Sequence, residues 1–478
     1  MMSEPVLIQG GMGIGVSNWQ LAKAVSVRGQ LGVVSGTAMD TILVRRLQDG
    51  DLHGHMRRAL KQLPLPHIAD ELIDKYYIPG GKKADEPYRL LPMHKYEASL
   101  QQLNYIVAAN FVEVYLAKEG HNGVVGINYL EKIQIPTLPS LYGAMLANVD
   151  YVLMGAGIPK SIPGILDDLA MHKAVSLKLN LDDAMPDDNY RLTFDPKLVN
   201  PEAIGQLKRP KFLAIISSHV LATTLAKKST GHVDGFVIEN HTAGGHNAPP
   251  RGTLKLDSKG NPLYSEKDEA NLDEVKKLNL PFWLAGSFNS PQKLKEALAL
   301  GASGIQVGTP FAFCEESGFE EEVKRTIIEK AVNGNVEVCT DALASPTNFP
   351  FKVVQMEDSL SDDAVYQKRQ RLCDLGYLRK AYKKADGSVG LRCPGEPVDN
   401  YLKKDGDIAD TVGRKCICNA LLADVGLGQV RPDGYEEQHL VTSGDELLSI
   451  ARYVKGKKYS YKASDVVDYL LASVKELV

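Results

Sequence analysis

Eight short apolar runs, separated by longer stretches several of which carry a helical pattern, constrain the fold more than any other feature of this chain. They are PVLIQG (5–10), LGVVSG (31–36), GVVGIN (123–128), YVLMGAG (151–157), FLAIISS (212–218), GFVIEN (235–240), FWLAGS (282–287) and GIQVGT (304–309). Each is apolar at consecutive rather than alternate positions, as strands of a parallel sheet buried on both faces should be. Helical candidates lie between several of them. SHVLATTLAKKSTG follows the fifth run. SPQKLKEALALGA follows the seventh, with Ser290 placed to cap, Pro291 in the first turn and Gly301 at the stop. Eight strand–helix alternations predict an α/β protein built as a (β/α)8 TIM barrel, with a doubly wound sheet as the rival arrangement.

The spacing of the runs is uneven. Between Gly36 and Gly123 lies far more chain than one crossover needs. The spacing therefore predicts an inserted helical lobe over about 50–120. Shorter insertions are expected over 174–200 and 247–276. Loops that follow barrel strands lie on the catalytic face, so the first and third insertions should border a site. The barrel pattern ends near Phe351, which divides the chain into a barrel, 1–350, and a C-terminal extension, 351–478, closed by two helical patterns, SGDELLSIARYVKG and SDVVDYLLASVKEL.

The stretch ENHTAGGHNAPPRG (239–252) follows the sixth run directly. Gly244 and Gly245 allow a ligand to approach the backbone N–H groups, and Gly286, Gly308 and Thr309 stand at the ends of the next two runs. Barrels of this kind commonly bind phosphate in the loops after strands seven and eight. The competing reading is that each glycine only makes a tight turn. At the first run, QGGMGIG places Gly11 and Met12 against whatever the barrel holds, yet no phase of it satisfies the dinucleotide fingerprint G-x-G-x-x-G. A phosphate signal without a dinucleotide one favours FMN over NAD or FAD.

LIQGGMGIGVS, GQLGVVSG, GINYL, ENHTAGGH, LAGS and ALGASGIQVGTPF together resemble the nitronate monooxygenases, formerly 2-nitropropane dioxygenases, and the related flavin-dependent enoyl-ACP reductases. The resemblance covers about residues 5–315 without the insertions. It implies an FMN-dependent oxidoreductase, either a monooxygenase that oxidises alkyl nitronates with O2 or an NAD(P)H-dependent enoyl-thioester reductase of lipid or polyketide synthesis. It implies that Gly11 and Met12 line the flavin ring and that Asn128 bonds to the ring or ribityl chain. Ala243, Gly244, Gly245, Gly286, Gly308 and Thr309 would hold the ribityl chain and phosphate. Glu239 and Ser218 match an acidic residue and a serine at the ends of strands six and five, on the cofactor's side. His246 matches the catalytic histidine, and an imidazole titrates near the pH at which a nitroalkane must lose its α-proton. The sequence departs from the family in NAPPRG after His246 and in its large insertions. A barrel that binds a phosphate ligand without catalysis is a third reading.

Four of the six cysteines fall in the extension: Cys373, Cys393, Cys416 and Cys418. Four thiolates can ligate zinc or an iron–sulfur cluster, although the only close pair is C-x-C; unconnected core thiols are the alternative. The sparse apolar content of the extension is expected to need such a staple. A net charge of −4 gives no global field for nucleic acid or membrane, and no apolar window is long enough to span a bilayer. MMSEPVLIQGG lacks the basic region of a secretory leader, so a cytoplasmic location is expected, with a small-molecule substrate and a possible homo-oligomer.

Overall fold

All eight runs form strands of one closed parallel barrel in the computed structural model, which describes residues 4–185, 187–203, 205–456 and 459–472. The strands are β1 (Leu7–Gln9), β2 (Leu31–Ser35), β3 (Val125–Leu130), β4 (Tyr151–Gly155), β5 (Lys211–Ile216), β6 (Gly235–Glu239), β7 (Phe282–Ala285) and β8 (Gly304–Val307). They follow one another around the barrel in chain order. Leu7 pairing with Ile305 closes the ring.

The consecutive apolar positions are explained by two separate cores. Ile8, Val33, Leu153, Leu213, Val237 and Trp283 point inward and fill the barrel, where the Trp283 indole N–H donates to the Pro5 carbonyl at 2.8 Å. Leu7, Val34, Ile127, Val152, Phe212 and Ile305 belong to the second core, which lies under the surrounding elements. The helix after β7 runs Pro291–Ala299, with the Ser290 hydroxyl accepting from the Lys293 N–H at 3.2 Å. Gly301, at φ +88°, takes the left-handed conformation that ends it.

The long stretch before β3 holds helices His55–Leu60, Pro66–Tyr76 and Leu100–Lys118. The last of these packs against Trp19–Ser26 and Thr137–Leu146, so it belongs to the ring of helices around the barrel. The second insertion is a hairpin, Val175–Lys178 against Arg191–Phe194. Beside it, Leu181–Asp182 joins the extension's strands Lys380–Lys383 and Val389–Arg392 in a three-stranded sheet.

The extension does not lack a core. Ile417, Leu422, Leu440, Val441, Leu447, Ile450, Val466 and Leu470 are buried in the same apolar cluster as the outer faces of the strands. Leu447, Ile450, Val466 and Leu470 fall in the two closing helical patterns, whereas Leu440 and Val441 lie in irregular chain that no periodic pattern advertises. The last part of the closing helical pattern, 473–477, lies outside the described residues, as do Lys457 and Lys458 of the charge run VKGKKYSYK; Ala463–Leu471 is a helix. Among the described residues no helix is long and apolar enough to cross a membrane.

Candidate active site

Where the strands end, their side chains and loops enclose a cavity of about 230 Å³. From β1 come Gly11 and Met12, and from β3 Asn128. Strand β6 and its loop supply Glu239, Ala243, Gly244, Gly245 and His246. Gly286 follows β7, and Gly308 and Thr309 follow β8. The order of strands around the barrel puts residues nearly 300 positions apart in sequence, Met12 and Gly308, beside each other: a Cβ on Gly308 would stand 3.5 Å from the Met12 sulfur.

Two glycines here are demanded by geometry. Gly286 has φ +88°, and a Cβ on it would lie 2.0 Å from Asn240 Oδ1. A Cβ on Gly244 would lie 2.8 Å from the Gly444 nitrogen. That second contact belongs to the extension, which no local sequence signal placed here. The Gly245 N–H donates to Thr442 Oγ1 and the Gly444 N–H to Thr309 Oγ1, each at 3.0 Å. Thr442, Ser443, Gly444, Tyr377, Leu378 and Cys418 all line the cavity, so the extension roofs the barrel mouth.

Two amides in the wall are left with unmet acceptors. Asn128 Oδ1 and Gln306 Oε1 are buried and have no hydrogen-bond partner, whereas Asn128 Nδ2 reaches the Gly11 carbonyl at 3.4 Å. A buried amide oxygen without a donor is costly, and a ligand N–H in the cavity would satisfy it. Gln306 was not anticipated. Its signal is a polar side chain inside the apolar run GIQVGT.

His246 sits against Phe351, ring centroids 4.8 Å apart, and forms a backbone bridge with that residue. Its Nε2 is 2.7 Å from Ser345 Oγ, which is itself 2.7 Å from Thr347 Oγ1. Burial pushes the imidazole down to about 4, so it is neutral at physiological pH. Nε2 is the ring nitrogen held by Ser345, and Nδ1 has no hydrogen-bond partner among the described residues. Glu239 departs in the opposite sense: burial raises its carboxyl to about 7, and no charged neighbour contributes. Ser345 carries no sequence signal, because its contact with His246 joins segments about 100 positions apart.

A second cavity, about 260 Å³, adjoins the first. The third insertion builds part of it through Arg251, Tyr264 and Asp268. His241 stacks on Tyr264 there, centroids 4.2 Å apart and planes 11° from parallel.

Two expectations need correction. Ser218 lines neither cavity; its hydroxyl accepts from the Leu221 N–H at 3.2 Å and caps the helix His219–Lys228. The turn that starts this helix carries Ser218 away from the barrel mouth, and Ser217 is the residue at the second cavity. Cys373, Cys393, Cys416 and Cys418 are near enough to influence one another's ionisation, yet among the described residues no group of three or more His, Cys, Asp or Glu side chains is arranged to hold a metal ion. Burial raises all four thiols above their usual range.

Residues 173–342 match the profile of the family described as nitronate monooxygenase. Nitronate monooxygenase from Paraburkholderia phytofirmans is 29% identical over 201 residues, 42% of this chain and 52% of the relative. A "probable nitronate monooxygenase" from Bacillus subtilis is 31% identical over 143 residues, 29% of this chain and 37% of the relative. A 5-hydroxy-7a-methyl-1-oxo-octahydro-1H-indene-4-carboxyl-CoA dehydrogenase from Mycobacterium tuberculosis is 29% identical over 122 residues, 26% of this chain and 31% of the relative. The matched segments thus span about a third to a half of the length of these relatives.

Proposed function

On the premise of that relation to the nitronate monooxygenases, we propose that the chain is an FMN-dependent oxidoreductase that oxidises alkyl nitronates with O2. The observation that carries this reading is the pairing of a glycine-lined cavity at the strand ends with a neutral histidine in its wall. The residues suit a flavin mononucleotide. Asn128 Oδ1 and Gln306 Oε1 offer unmet acceptors to ring N–H groups. Gly286, Gly308 and Thr309 stand where barrels of this class hold phosphate. Met12 and Gly11 supply an apolar, close-fitting floor. Bound there, the flavin supplies electron transfer and reaction with oxygen.

The chain's own part in catalysis centres on His246. Its Nδ1 accepts the α-proton of a neutral nitroalkane, and Ser345 fixes the ring while it does so. The Phe351 ring and the roof formed by Thr442–Gly444 keep water from the reacting atoms.

One observation favours the enoyl-thioester reductase as a second reading. The adjoining cavity leaves room for a ligand besides the cofactor, and one of the relatives is named for a carboxyl-CoA substrate. The test is turnover by the purified, FMN-loaded protein. Oxygen consumption with a nitronate, without NAD(P)H, supports the first reading. NAD(P)H consumption that depends on an enoyl thioester supports the second and overturns the first.

A further inference from the structure

The two cavities share a wall of four residues: Ala156, Ile215, Glu239 and His246. Two are apolar and two are titratable. If the first cavity holds the cofactor and the second admits the substrate, the reacting atoms meet at this wall. His246 has a hydrogen-bond partner there, Ser345, and Glu239 has none for its carboxyl among the described residues. Glu239 is half-buried at the end of a central strand and opens to both cavities, so a ligand there can supply its carboxyl with a contact.

We propose that Glu239 is a catalytic residue: its protonated carboxyl donates a hydrogen bond to the substrate oxygen on which negative charge develops as the α-carbon loses its proton to His246. The inference rests on the function proposed above and names the electrophilic partner of its base. In the step, the substrate C–H bond breaks and an N–H bond forms at His246. The electron pair moves onto the nitro oxygen, or onto the carbonyl oxygen of a thioester, and the Glu239 O–H bond stays intact. The substrate class is accordingly a carbon acid whose acidity comes from an adjacent oxygen-bearing group.

The surroundings keep the carboxyl neutral. On the second-cavity side it faces His241, Tyr264, Arg251 and Asp268. The Asp268 carboxylate, which burial would raise, accepts from the Arg251 backbone N–H at 2.7 Å and is held low by that bond and others, and by the Arg251 charge. On the first-cavity side lie Tyr377, Cys418 and Glu446, none of them a cation. An ionised Glu239 would be desolvated without compensation and would repel the anion that forms. A neutral carboxylic acid in an apolar site is a known device for stabilising an oxyanion.

The test compares Glu239→Gln and Glu239→Leu in the FMN-loaded protein, with proton abstraction from a neutral nitroalkane followed as α-deuterium loss. The Gln variant keeps an N–H donor and should stay within about tenfold of wild type. Wild-type rates should fall as the pH rises through about 7, and this fall should vanish in Glu239→Gln. Glu239→Leu should lose about 10²–10³-fold, the range for one oxyanion donor. Both variants should keep FMN. Wild-type rates in Glu239→Leu, an unchanged alkaline fall in Glu239→Gln, or loss of FMN from both would overturn the proposal. Infrared spectra separate this from failure of the functional reading. Below that pH the wild-type protein should show a protonated-carboxyl band that Glu239→Gln lacks, whatever it turns over; absence of the band overturns the proposal even if one variant fails to fold.

Discussion

The barrel and the C-terminal extension build the same cavity in opposite ways. The barrel contributes through periodic structure. Each strand ends at the mouth, so its last residues are catalytic-face residues by topology alone. The extension contributes through single contacts made across the chain, such as Thr442 to Gly245 and Gly444 to Thr309. Periodic structure is readable from neighbouring residues, and long-range docking is not. The difference teaches that the part of the site hardest to read is its roof, which also determines what can enter.

The largest expected effect breaks the barrel's side of the comparison. His246→Asn should keep FMN yet lose about 10²–10⁴-fold in turnover of neutral nitroalkane, with preformed nitronate affected much less. The wild-type rate should hold until the pH drops through about 4, where the imidazole gains its proton and can no longer accept one. Steady-state kinetics on both substrates over pH measures this.

The next effect asks whether the extension is as integral as the barrel. Trp283 fills the barrel and Leu422 the core under the extension, and both are fully buried. Trp283→Ala should cost about 3–5 kcal/mol and Leu422→Ala about 2–5 kcal/mol. Denaturant unfolding should give one transition for each variant. A separate early transition in Leu422→Ala would show that the extension folds apart from the barrel.

Smaller again is a long-range contact within the barrel segment, between Ser345 and His246. Ser345→Ala removes the hydrogen bond to His246 Nε2, worth about 1 kcal/mol, so turnover should fall by up to about tenfold with FMN binding unchanged. The smallest effect concerns the cysteines. Single Cys→Ser changes at Cys373, Cys393 and Cys416 should lower stability by no more than about 1–3 kcal/mol, the cost of a buried hydroxyl, and elemental analysis should find no stoichiometric zinc or iron. Loss of a bound metal in any of them would restore the ligand role.

What the sequence made legible follows the same division. The eight strands, the cap at Ser290 and the glycines at the ends of β6, β7 and β8 were each visible within a few residues. Ser218 misled because an N-cap serine and a ligand-binding serine look alike at a strand end. The cysteines misled because four thiols in a short span resemble a ligand set, whereas among the described residues no three ligating side chains are arranged to hold an ion. Ser345, Thr442 and Tyr377 gave no signal, because each reaches the site by chain that returns from far away. Gln306 could have been found, since a polar residue within a buried strand run needs a partner.

Barrel and extension together are proposed to hold a flavin mononucleotide. Identifying the chromophore released on denaturing the purified protein tests it most directly. The expected result is a yellow protein that releases FMN, close to one per chain, and that rebinds it after removal. A colourless protein that FMN cannot reconstitute, or one that releases FAD, would contradict it.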